Sequence, residues 1–338
     1  MSRIEAMHTG DEVVAAAKAG DESAFTALVE RHRRELQVHC YRILGSLEDS
    51  EDALQETFLR AWRRRETYAG RAPFRAWLYR IATNACLDAL ERRPRKLPAP
   101  VEATGASVPM GPRSEVPWLQ PYPEHLLAPS EDEPDAAVVA KETIELAFLV
   151  AIQHLPPRSR AVLILRDVLG WSAKETAALL ETSVASVNSA LQRARAALKE
   201  NLPERRLEWD ADASEPERAL VERYVAFTEA GDADGLAALI REDATFAMPP
   251  EPGWWAGRDA MVNAWKSGGF GTPEFGDIRT LVTWANRQPA VANYVRKPGE
   301  DHYQGFALDV LRIEDGMIAE IVAFTAVVFA AFELPETI

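Results

Sequence analysis

The sequence predicts a multidomain chain in which two all-α domains precede a C-terminal α+β domain. Apolar residues recur at helical spacing before position 93 and again after position 135, and strand-like segments begin near position 244. The 338 residues are enough for two or three domains of about 100–150 residues each. We place the domains at residues 20–93, 135–207 and 214–335, with a linker at 94–134.

The first block is predicted to be a small helical bundle. Gly45 ends one helix as a C-cap, and the next helix is expected from about Leu47 to Arg65. A last helix begins near Phe74 and ends before Pro94. The apolar stripes that define these two helices are Leu54, Phe58, Ala61 and Trp62, and Phe74, Trp77, Leu78, Ile81, Ala82 and Ala85.

The linker is rich in proline, which blocks both helix and sheet. Ten of the 22 prolines lie between Arg93 and Pro134, together with the acidic run from Glu131 to Glu133. We therefore expect an extended, mostly unfolded segment. Its Trp118–Pro123 stretch contains two aromatic residues, which are expected to dock on a surface. That surface belongs either to the chain's own domains or to a partner.

The second helical block contains a predicted helix-turn-helix. Ser172 and Glu175 form a capping box, Glu181-Thr182-Ser183 makes the turn, and a further helix follows. Its inward side chains are expected to be Val184, Val187, Leu191, Ala194 and Leu198. Its outward side chains, which suit base edges in a major groove, are Ser186, Asn188, Ser189, Gln192 and Arg193. By pattern alone, a generic helical hairpin is an equal alternative.

The last block changes from helices to strands. Helices are predicted near 216–229, 233–241 and 258–265, and strands near 244–248, 278–284, 290–296, 304–313 and 317–324. Asp315-Gly316 supplies a hairpin turn between the last two strands. We expect an antiparallel sheet with the helices mostly before it.

The distribution of charge matters more than the net charge of −14. Residues 31–96 hold 15 Lys/Arg against 9 Asp/Glu, and residues 151–209 hold 9 against 6, whereas residues 210–338 hold 10 against 22. Two basic blocks thus precede an acidic one, which keeps nucleic-acid binding open. Two cysteines without metal spacing, and the lack of an apolar leader or a 20-residue apolar run, predict a cytoplasmic protein.

Two long motifs resemble those of bacterial sigma factors. The runs Ser46–Trp62 and Phe74–Asp88 resemble sigma region 2, and Leu155-Pro156-Pro157-Arg158 with the following helices resembles region 4. Both regions in this order, without a region 3 between them, are similar to the extracytoplasmic-function group. The tail, with Met248-Pro249-Pro250 and Trp254–Arg258, resembles a SnoaL-like cone-shaped domain, which some members of that group carry.

The resemblance implies an alternative sigma factor that binds core RNA polymerase and promoter DNA, directs promoter melting, and needs no cofactor or metal. It assigns polymerase docking to an acidic helix face that comprises Glu48, Asp49, Glu51, Asp52, Gln55 and Glu56. The alternative is that this face is only a solvated surface without a partner. It assigns contact with the opened downstream element to Tyr68, Arg71, Arg75, Tyr79, Arg80, Thr83, Asn84 and Arg92. Trp77 fits the core better than the DNA strand.

For the upstream element, the outward face of the recognition helix is joined by three cations expected at phosphates: Arg158, Arg160 and Lys199. A possible pocket in the tail would have as its walls and polar groups Trp254, Trp255, Trp284, Tyr294 and His302. His302, Asp309 and Asp243 are candidate acids or bases, but their spacing forms no catalytic constellation.

Three functions therefore stay open at this point. The first is a sigma factor, not an enzyme, whose tail regulates it through an intramolecular contact or a small-molecule ligand. The second is a bifunctional protein whose tail also binds or converts a small molecule. The third is a repressor-like DNA-binding protein without a role at the polymerase.

Overall fold

The structure, a computed structural model, describes residues 12–70, 73–92, 116, 118–127, 144–201, 215–250 and 254–338. These residues divide into two compact units. The helical unit takes the described residues of Met1–Arg95, Leu126–Ile144 and Leu155–Glu200. The α+β unit takes those of Lys96–His125, Glu145–His154 and Asn201–Ile338.

Helices account for most of the described residues before position 202. These helices are α1 (12–19), α2 (Glu22–Glu30), α3 (Arg33–Leu44), α4 (Leu47–Arg63), α5 (Phe74–Arg92), α6 (Leu146–Gln153), α7 (Pro157–Leu163), α8 (Ala173–Leu179) and α9 (Val184–Asn201). A π-helix, Ile164–Val168, continues α7. In the described part of the chain, no helix combines the length and the apolarity needed to cross a bilayer.

Local sequence signals fix where these helices begin and end. Gly45 ends α3 with a left-handed φ of 69°, and Ser46 then caps α4 by accepting a hydrogen bond from the Asp49 backbone N–H at 3.2 Å. The predicted capping box opens α8: the Glu175 N–H donates to Ser172 Oγ at 3.2 Å, and the Ser172 N–H donates to Glu175 Oε2 at 2.8 Å. These contacts confirm the predicted boundaries.

The core of the helical unit lies between α3, α4 and α5. Its centre is apolar and includes both cysteines, which are free thiols. One polar pair crosses it: His39 Nε2 lies 2.8 Å from Thr83 Oγ1, whose hydroxyl donates to the Tyr79 carbonyl at 2.7 Å. Burial lowers the pKa of His39 to about 3, so the imidazole is neutral at pH 7.

The α+β unit contains one six-stranded sheet with helices packed on it. The helices are α10 (Glu215–Glu229), α11 (Ala233–Ala237) and α12 (Arg258–Ser267), and the strands are β1 (Ile240–Ala247), β2 (Trp254–Ala256), β3 (Asp277–Ala285), β4 (Gln288–Arg296), β5 (Gln304–Glu314) and β6 (Met317–Thr325). The sheet order is β2-β1-β6-β5-β4-β3. A 3₁₀ segment, Ala326–Phe332, follows β6.

Two details of this unit differ from the sequence prediction. The sheet is mixed, because β1 runs parallel to β6 while the other pairs are antiparallel. The helix expected at 233–241 ends at Ala237, and β1 begins at Ile240. Leu239 and Ile240 are fully buried in the sheet core, and this burial outweighs the helical periodicity. The Asp315-Gly316 turn joins β5 to β6 as predicted.

The aromatic stretch of the proline-rich segment is docked on the α+β unit. The Tyr122 N–H donates to Asn286 Oδ1 at 2.7 Å, and the Asn286 N–H donates to the Tyr122 carbonyl at 2.9 Å. Leu119 and Tyr122 are buried. Of the two expected surfaces, this stretch thus packs on the chain's own domain. The remaining linker residues, including 93–115 and 128–143, lie outside the described residues.

Helix α6 belongs to the same unit. All eight of its residues are buried, and the Leu146 N–H donates to Gln288 Oε1 at 3.3 Å. Trp118 Nε1 donates to Gln153 Oε1 at 3.3 Å, so the docked stretch also contacts α6. We call Val116, Trp118–His125 and α6 together the docked segment.

Candidate functional site

Helix α4 presents an acidic face opposite its buried one. Ala53, Leu54 and Ala61 are buried, whereas the side chains exposed or half-exposed on the other face are the predicted Glu48, Asp49, Glu51, Asp52, Gln55 and Glu56. Glu56 Oε1 accepts a hydrogen bond from Arg60 Nε at 2.6 Å. Arg60 also donates to Asp88 Oδ2 at 2.5 Å, which fastens this end of α4 to α5. The acidic face thus lies on a helix whose opposite face is buried against the rest of the bundle.

Two of the predicted strand-contact residues are interior in this structure. Tyr79 is 1% exposed and Thr83 is fully buried. The Tyr79 hydroxyl donates to Glu35 Oε2 at 3.0 Å, and burial with the nearby Glu35 carboxylate raises the pKa of Tyr79. As placed, neither side chain can reach a DNA base, which corrects their predicted role. The physical reason is that α5 is buried on most of its circumference, so a position outside its apolar stripe is also in the core.

The Glu35 carboxylate is the common hydrogen-bond acceptor of the polar side chains at this end of α5. Arg75 Nε donates to Glu35 Oε2 at 2.7 Å, and His32 Nδ1 lies 2.6 Å from Glu35 Oε1. Burial alone would raise the pKa of Glu35, but the hydrogen bonds from His32 and Arg75 outweigh it and leave this pKa below its usual value. Arg75 is thus engaged by a partly buried carboxylate, although its guanidinium remains half-exposed.

The other downstream candidates lie at the surface or near it. Arg80 and Arg92 are exposed and Asn84 is half-buried. Tyr68 is half-buried and packs at 5.4 Å from the Phe74 ring and 5.5 Å from the Trp77 ring. Trp77 is 8% exposed, which confirms its assignment to the core. Arg71 lies outside the described residues.

The helix-turn-helix displays the outward face that the sequence predicts. Ser186, Asn188, Ser189, Gln192 and Arg193 are all exposed on α9, while Val187, Leu191 and Ala194 are buried. Two positions of the inner stripe differ from expectation, since Val184 is 43% exposed and Leu198 is only half-buried. Arg195 is paired with Asp167 at 2.7 Å, which braces α9 against the π-helix. These five side chains offer hydrogen-bonding groups and one arginine, and none of the five is acidic.

Of the three expected phosphate contacts, one is buried. Arg158 and Lys199 are exposed, but Arg160 is 4% exposed. Its guanidinium donates to the backbone carbonyls of Ile43 and Leu155, the latter at 3.1 Å. This corrects the prediction for Arg160, which ties α7 to the end of α3 and is not available to DNA in this structure. Sequence reasoning missed this role because an arginine after a proline-capped start usually faces solvent.

The α+β unit forms an open-mouthed cavity of about 230 Å³ between its helices and the sheet. Asp309 on β5 lies in its wall, and Asp309 Oδ2 accepts hydrogen bonds from Asn293 Nδ2 at 2.6 Å and from the Tyr224 hydroxyl at 3.0 Å. Burial raises the pKa of Asp309 to about 6. Among the predicted pocket residues, Trp255 lines this cavity.

Three of the other predicted pocket residues, Trp284, Tyr294 and His302, lie outside the lining of this cavity, which corrects the prediction for them. Tyr294 is fully buried against Phe329 at 5.2 Å, and its hydroxyl donates to the Pro335 carbonyl at 3.0 Å. His302 is exposed, and Trp284 is half-buried outside the cavity lining. The Trp254 side chain is outside the described residues. In an antiparallel sheet neighbouring positions point to opposite faces, so spacing alone could not select the lining.

Family models match three parts of the chain. A sigma-70 region 2 model matches residues 28–96, a sigma-70 region 4 model matches residues 145–198, and a SnoaL-like domain model matches residues 221–321. The three matches occur in the order that the sequence motifs predict.

Relatives with these regions are sigma factors. The chain is 42% identical to the extracytoplasmic-function RNA polymerase sigma factor SigG of Mycobacterium tuberculosis over 341 residues, covering 97% of this chain and 90% of that protein. It is 29% identical to SigW of Bacillus subtilis over 185 residues, covering 55% of this chain and 92% of that protein.

The fold is shared with a solved structure. The crystal structure of the Mycobacterium tuberculosis extracytoplasmic function sigma factor SigJ superposes with a TM-score of 0.60 at 24% identity, covering 92% of this chain and 100% of that one. Together with the family matches, these findings show that the chain belongs to the extracytoplasmic-function group of sigma-70 RNA polymerase sigma factors and carries a SnoaL-like domain after region 4.

Proposed function

We propose that this sigma factor reads an upstream promoter element with the outward face of α9. As a sigma factor it binds core RNA polymerase and directs transcription initiation at promoters. The observation that supports the assignment is the exposure of Asn188, Gln192 and Arg193 along one side of a helix whose other side is buried. Amide groups pair with adenine and arginine pairs with guanine in the major groove. Arg158 and Lys199 flank this face and suit phosphate contacts.

The opened downstream element is assigned to the surface of α5. Arg80 and Arg92 are exposed cations, and Asn84 adds hydrogen-bonding groups on the same helix. Tyr68, whose ring is half-buried beside Phe74, offers an aromatic face at the edge of this surface. Cations that neutralise phosphate beside an aromatic ring are the usual equipment for binding single-stranded DNA. Tyr79 and Thr83 support this surface from beneath.

The acidic face of α4 is assigned to polymerase docking. Glu48, Glu51 and Asp52 form a dense negative surface over a buried apolar stripe. Such a surface favours a basic partner and steers its approach, and both effects weaken as salt rises. We propose that the protein acts in the cytoplasm, where core polymerase and promoter DNA are found.

The SnoaL-like domain is proposed to regulate and not to catalyse. It holds the docked segment, and three residues, His154, Leu155 and Pro156, connect α6 to the start of α7. A ligand or partner that loosens or strengthens the packing of the docked segment would therefore act on the part of the chain that continues through α7 to the helix-turn-helix. Among the described cavity-lining residues only Asp309 and Tyr224 titrate, and they are hydrogen-bonded to each other. We assign this hydrogen-bonded pair to ligand binding.

Promoter binding by the reconstituted holoenzyme tests the α9 assignment. A promoter is first identified by run-off transcription from a genomic library with core polymerase. Arg193→Ala is then expected to weaken binding to that promoter by about 1–3 kcal/mol and to relax specificity at one base pair. Lys199→Ala is the matched control and should weaken native and scrambled sites equally. Identical behaviour of the two variants on both sites would refute the assignment.

A further inference from the structure

We infer that the cavity of the SnoaL-like domain binds a small hydrophobic amine in its protonated form, with the ammonium group at Asp309 and the hydrocarbon part against the aromatic walls. This inference does not depend on the promoter assignments, because it concerns a site on the other unit. It adds a ligand class to the regulatory domain.

The polar end of the cavity contains hydrogen-bond acceptors that a ligand with hydrogen-bond donors could satisfy. Tyr224 and Asn293 both donate their hydrogen bonds to Asp309 Oδ2, so within the described residues Oδ1 has no hydrogen-bond donor. Asn293 Oδ1 is buried and also lacks a hydrogen-bond partner within the described part of the chain. Asn293 itself is 6% exposed and lines the cavity. An ammonium group carries three donors and no acceptor, and it would satisfy both oxygens.

The charge of the cavity favours a cation. Asp309 is the one ionisable acid in the described lining, and no Lys, Arg or His is found there. A carboxylate buried without a cation is destabilised, which is why the pKa of Asp309 is raised to about 6. A bound ammonium ion would supply the missing counter-charge. A carboxylate or phosphate ligand would instead add a second negative charge next to the Asp309 carboxylate.

The walls suit a hydrocarbon group next to a cation. A continuous series of aromatic rings surrounds the cavity, with successive centroids between 5.2 and 6.4 Å apart: Trp255, Phe246, Trp265, Phe270, Phe275 and Phe306. Aromatic faces attract ammonium ions, and the attraction grows when the ion is desolvated. They also favour burial of an apolar ring.

The volume limits the size of the ligand. A dry protein cavity of roughly 150 Å³ holds one benzene molecule. The cavity here, at about 230 Å³, therefore has room for one aromatic ring with a short side chain. An arylalkylamine is the smallest class that combines a ring, a short chain and an ammonium group, so 2-phenylethylamine is a suitable probe.

The first test compares this amine with 2-phenylethanol, which has the same ring and chain but no charge. The full-length protein is titrated with each compound at pH 7 by isothermal calorimetry, which measures the affinity directly. The amine is expected to bind at least ten-fold more tightly than the alcohol. Equal affinities, tighter binding of the alcohol, or no binding of the amine would overturn the proposal.

Variants locate the site. Asp309→Asn is expected to remove the preference for the amine, and Asp301→Asn, an exposed control of the same charge change, is expected to keep it. Ala264→Leu fills the cavity from α12 and should weaken binding of both compounds, so it tests the location even if Asp309→Asn fails to fold. Circular dichroism establishes folding of each variant. Unchanged amine affinity in folded Asp309→Asn or Ala264→Leu protein would contradict the proposed site.

Discussion

The Tyr79 hydroxyl lies 3.0 Å from Glu35 Oε2 and donates a hydrogen bond to it, which joins α5 to the start of α3. Arg75 donates to the same oxygen at 2.7 Å. The side chain that the sequence assigns to DNA is thus part of a buried polar cluster, and the residues that face outward beside it are Arg80 and Asn84. We therefore expect Tyr79 to stabilise the position of α5, and Arg80 and Asn84 to contact the DNA strand.

Promoter opening should therefore depend on Arg80 and Asn84 more directly than on Tyr79. Arg80→Ala and Asn84→Ala should still bind core polymerase and the closed promoter, but permanganate reactivity of unpaired thymines should fall several-fold because strand contacts are lost. A template with a preformed bubble should restore much of the activity. If the bubble restores nothing, these residues do not act in strand capture.

Tyr79→Phe should instead affect folding. The substitution removes one donor from a partly buried carboxylate, and we expect the free energy of unfolding to fall by about 1.5–3 kcal/mol, the usual value for a hydrogen bond to a charged group. Urea unfolding followed by circular dichroism measures the loss. An unchanged unfolding midpoint, together with a promoter-opening defect, would return Tyr79 to the DNA-contacting set.

Arg160→Ala is expected to be one of the more destabilising arginine substitutions in the helical unit. It removes the donors of two buried backbone carbonyls, on Ile43 and Leu155, and we expect a loss of about 2–4 kcal/mol in the free energy of unfolding. Arg158→Ala is the matched control, because Arg158 is exposed two positions away. A stable Arg160→Ala protein whose only defect is weaker binding to every DNA sequence would support the original phosphate assignment.

Reversal of charge on α4 should weaken polymerase binding without unfolding the protein. Glu51 and Asp52 are exposed, so Glu51→Lys with Asp52→Lys should leave the unfolding midpoint nearly unchanged. Affinity for core polymerase should fall at least ten-fold at low salt, and the difference should shrink as salt rises because the charges are screened. Glu22→Lys with Glu66→Lys, at exposed positions on other elements, serves as the control. Equal loss in both double variants would remove the special role of α4.

The α+β unit should lose stability as pH rises from about 4 to 6. The unfolded Asp309 carboxyl has its ordinary pKa of about 3.9, whereas burial raises the folded pKa to about 6, so the folded state holds an extra proton between these values. Relative to Asp309→Asn, we expect stability to fall by about 2–3 kcal/mol between pH 4 and pH 7. Hydrogen-exchange protection factors of the β4 and β5 amides measure it. A constant difference across this range would mean that Asp309 titrates normally.

Release of the docked segment should alter transcription. Asn286→Ala removes both the side-chain acceptor of Tyr122 and part of its packing surface, and Asn263→Ala on the exposed side of α12 is the control. Truncation after Leu207 removes the whole docking surface, and we expect increased promoter activity in both cases. Transcription indistinguishable from the full-length protein in all variants, at low and high salt, would end the regulatory proposal.

The sequence was sufficient to predict the elements but not all of their surroundings. Ser46, Gly45 and the Ser172–Glu175 capping box determine helix ends through local hydrogen bonds, and local signals are legible in one sequence. Tyr79 and Arg160 depend on what packs over them from distant parts of the chain, and polar side chains give no periodic sign of that burial.

The cavity illustrates the same limit. Asp309 was among the candidate acids, but its two hydrogen-bond donors come from other elements. Tyr224 lies on α10, 85 positions away, and Asn293 lies on β4, 16 positions away. Tyr294, one position from Asn293, points away from the cavity into a different part of the core. A shift of one residue in the strand register would exchange the side chains that line the cavity for their neighbours. The register is seen only in the folded sheet.

The position of β6 has a consequence for synthesis on the ribosome. It is the sixth strand in sequence but lies inside the sheet, between β1, which it pairs in parallel, and β5. β1 and β2 therefore cannot join the rest of the sheet until Met317–Thr325 has emerged, whereas the helices of region 2 and α9 are complete more than a hundred residues earlier. Each newly made molecule thus passes through a stage in which the helices of regions 2 and 4 are complete before the SnoaL-like domain, and a ribosome that stalls before β6 leaves that stage permanent.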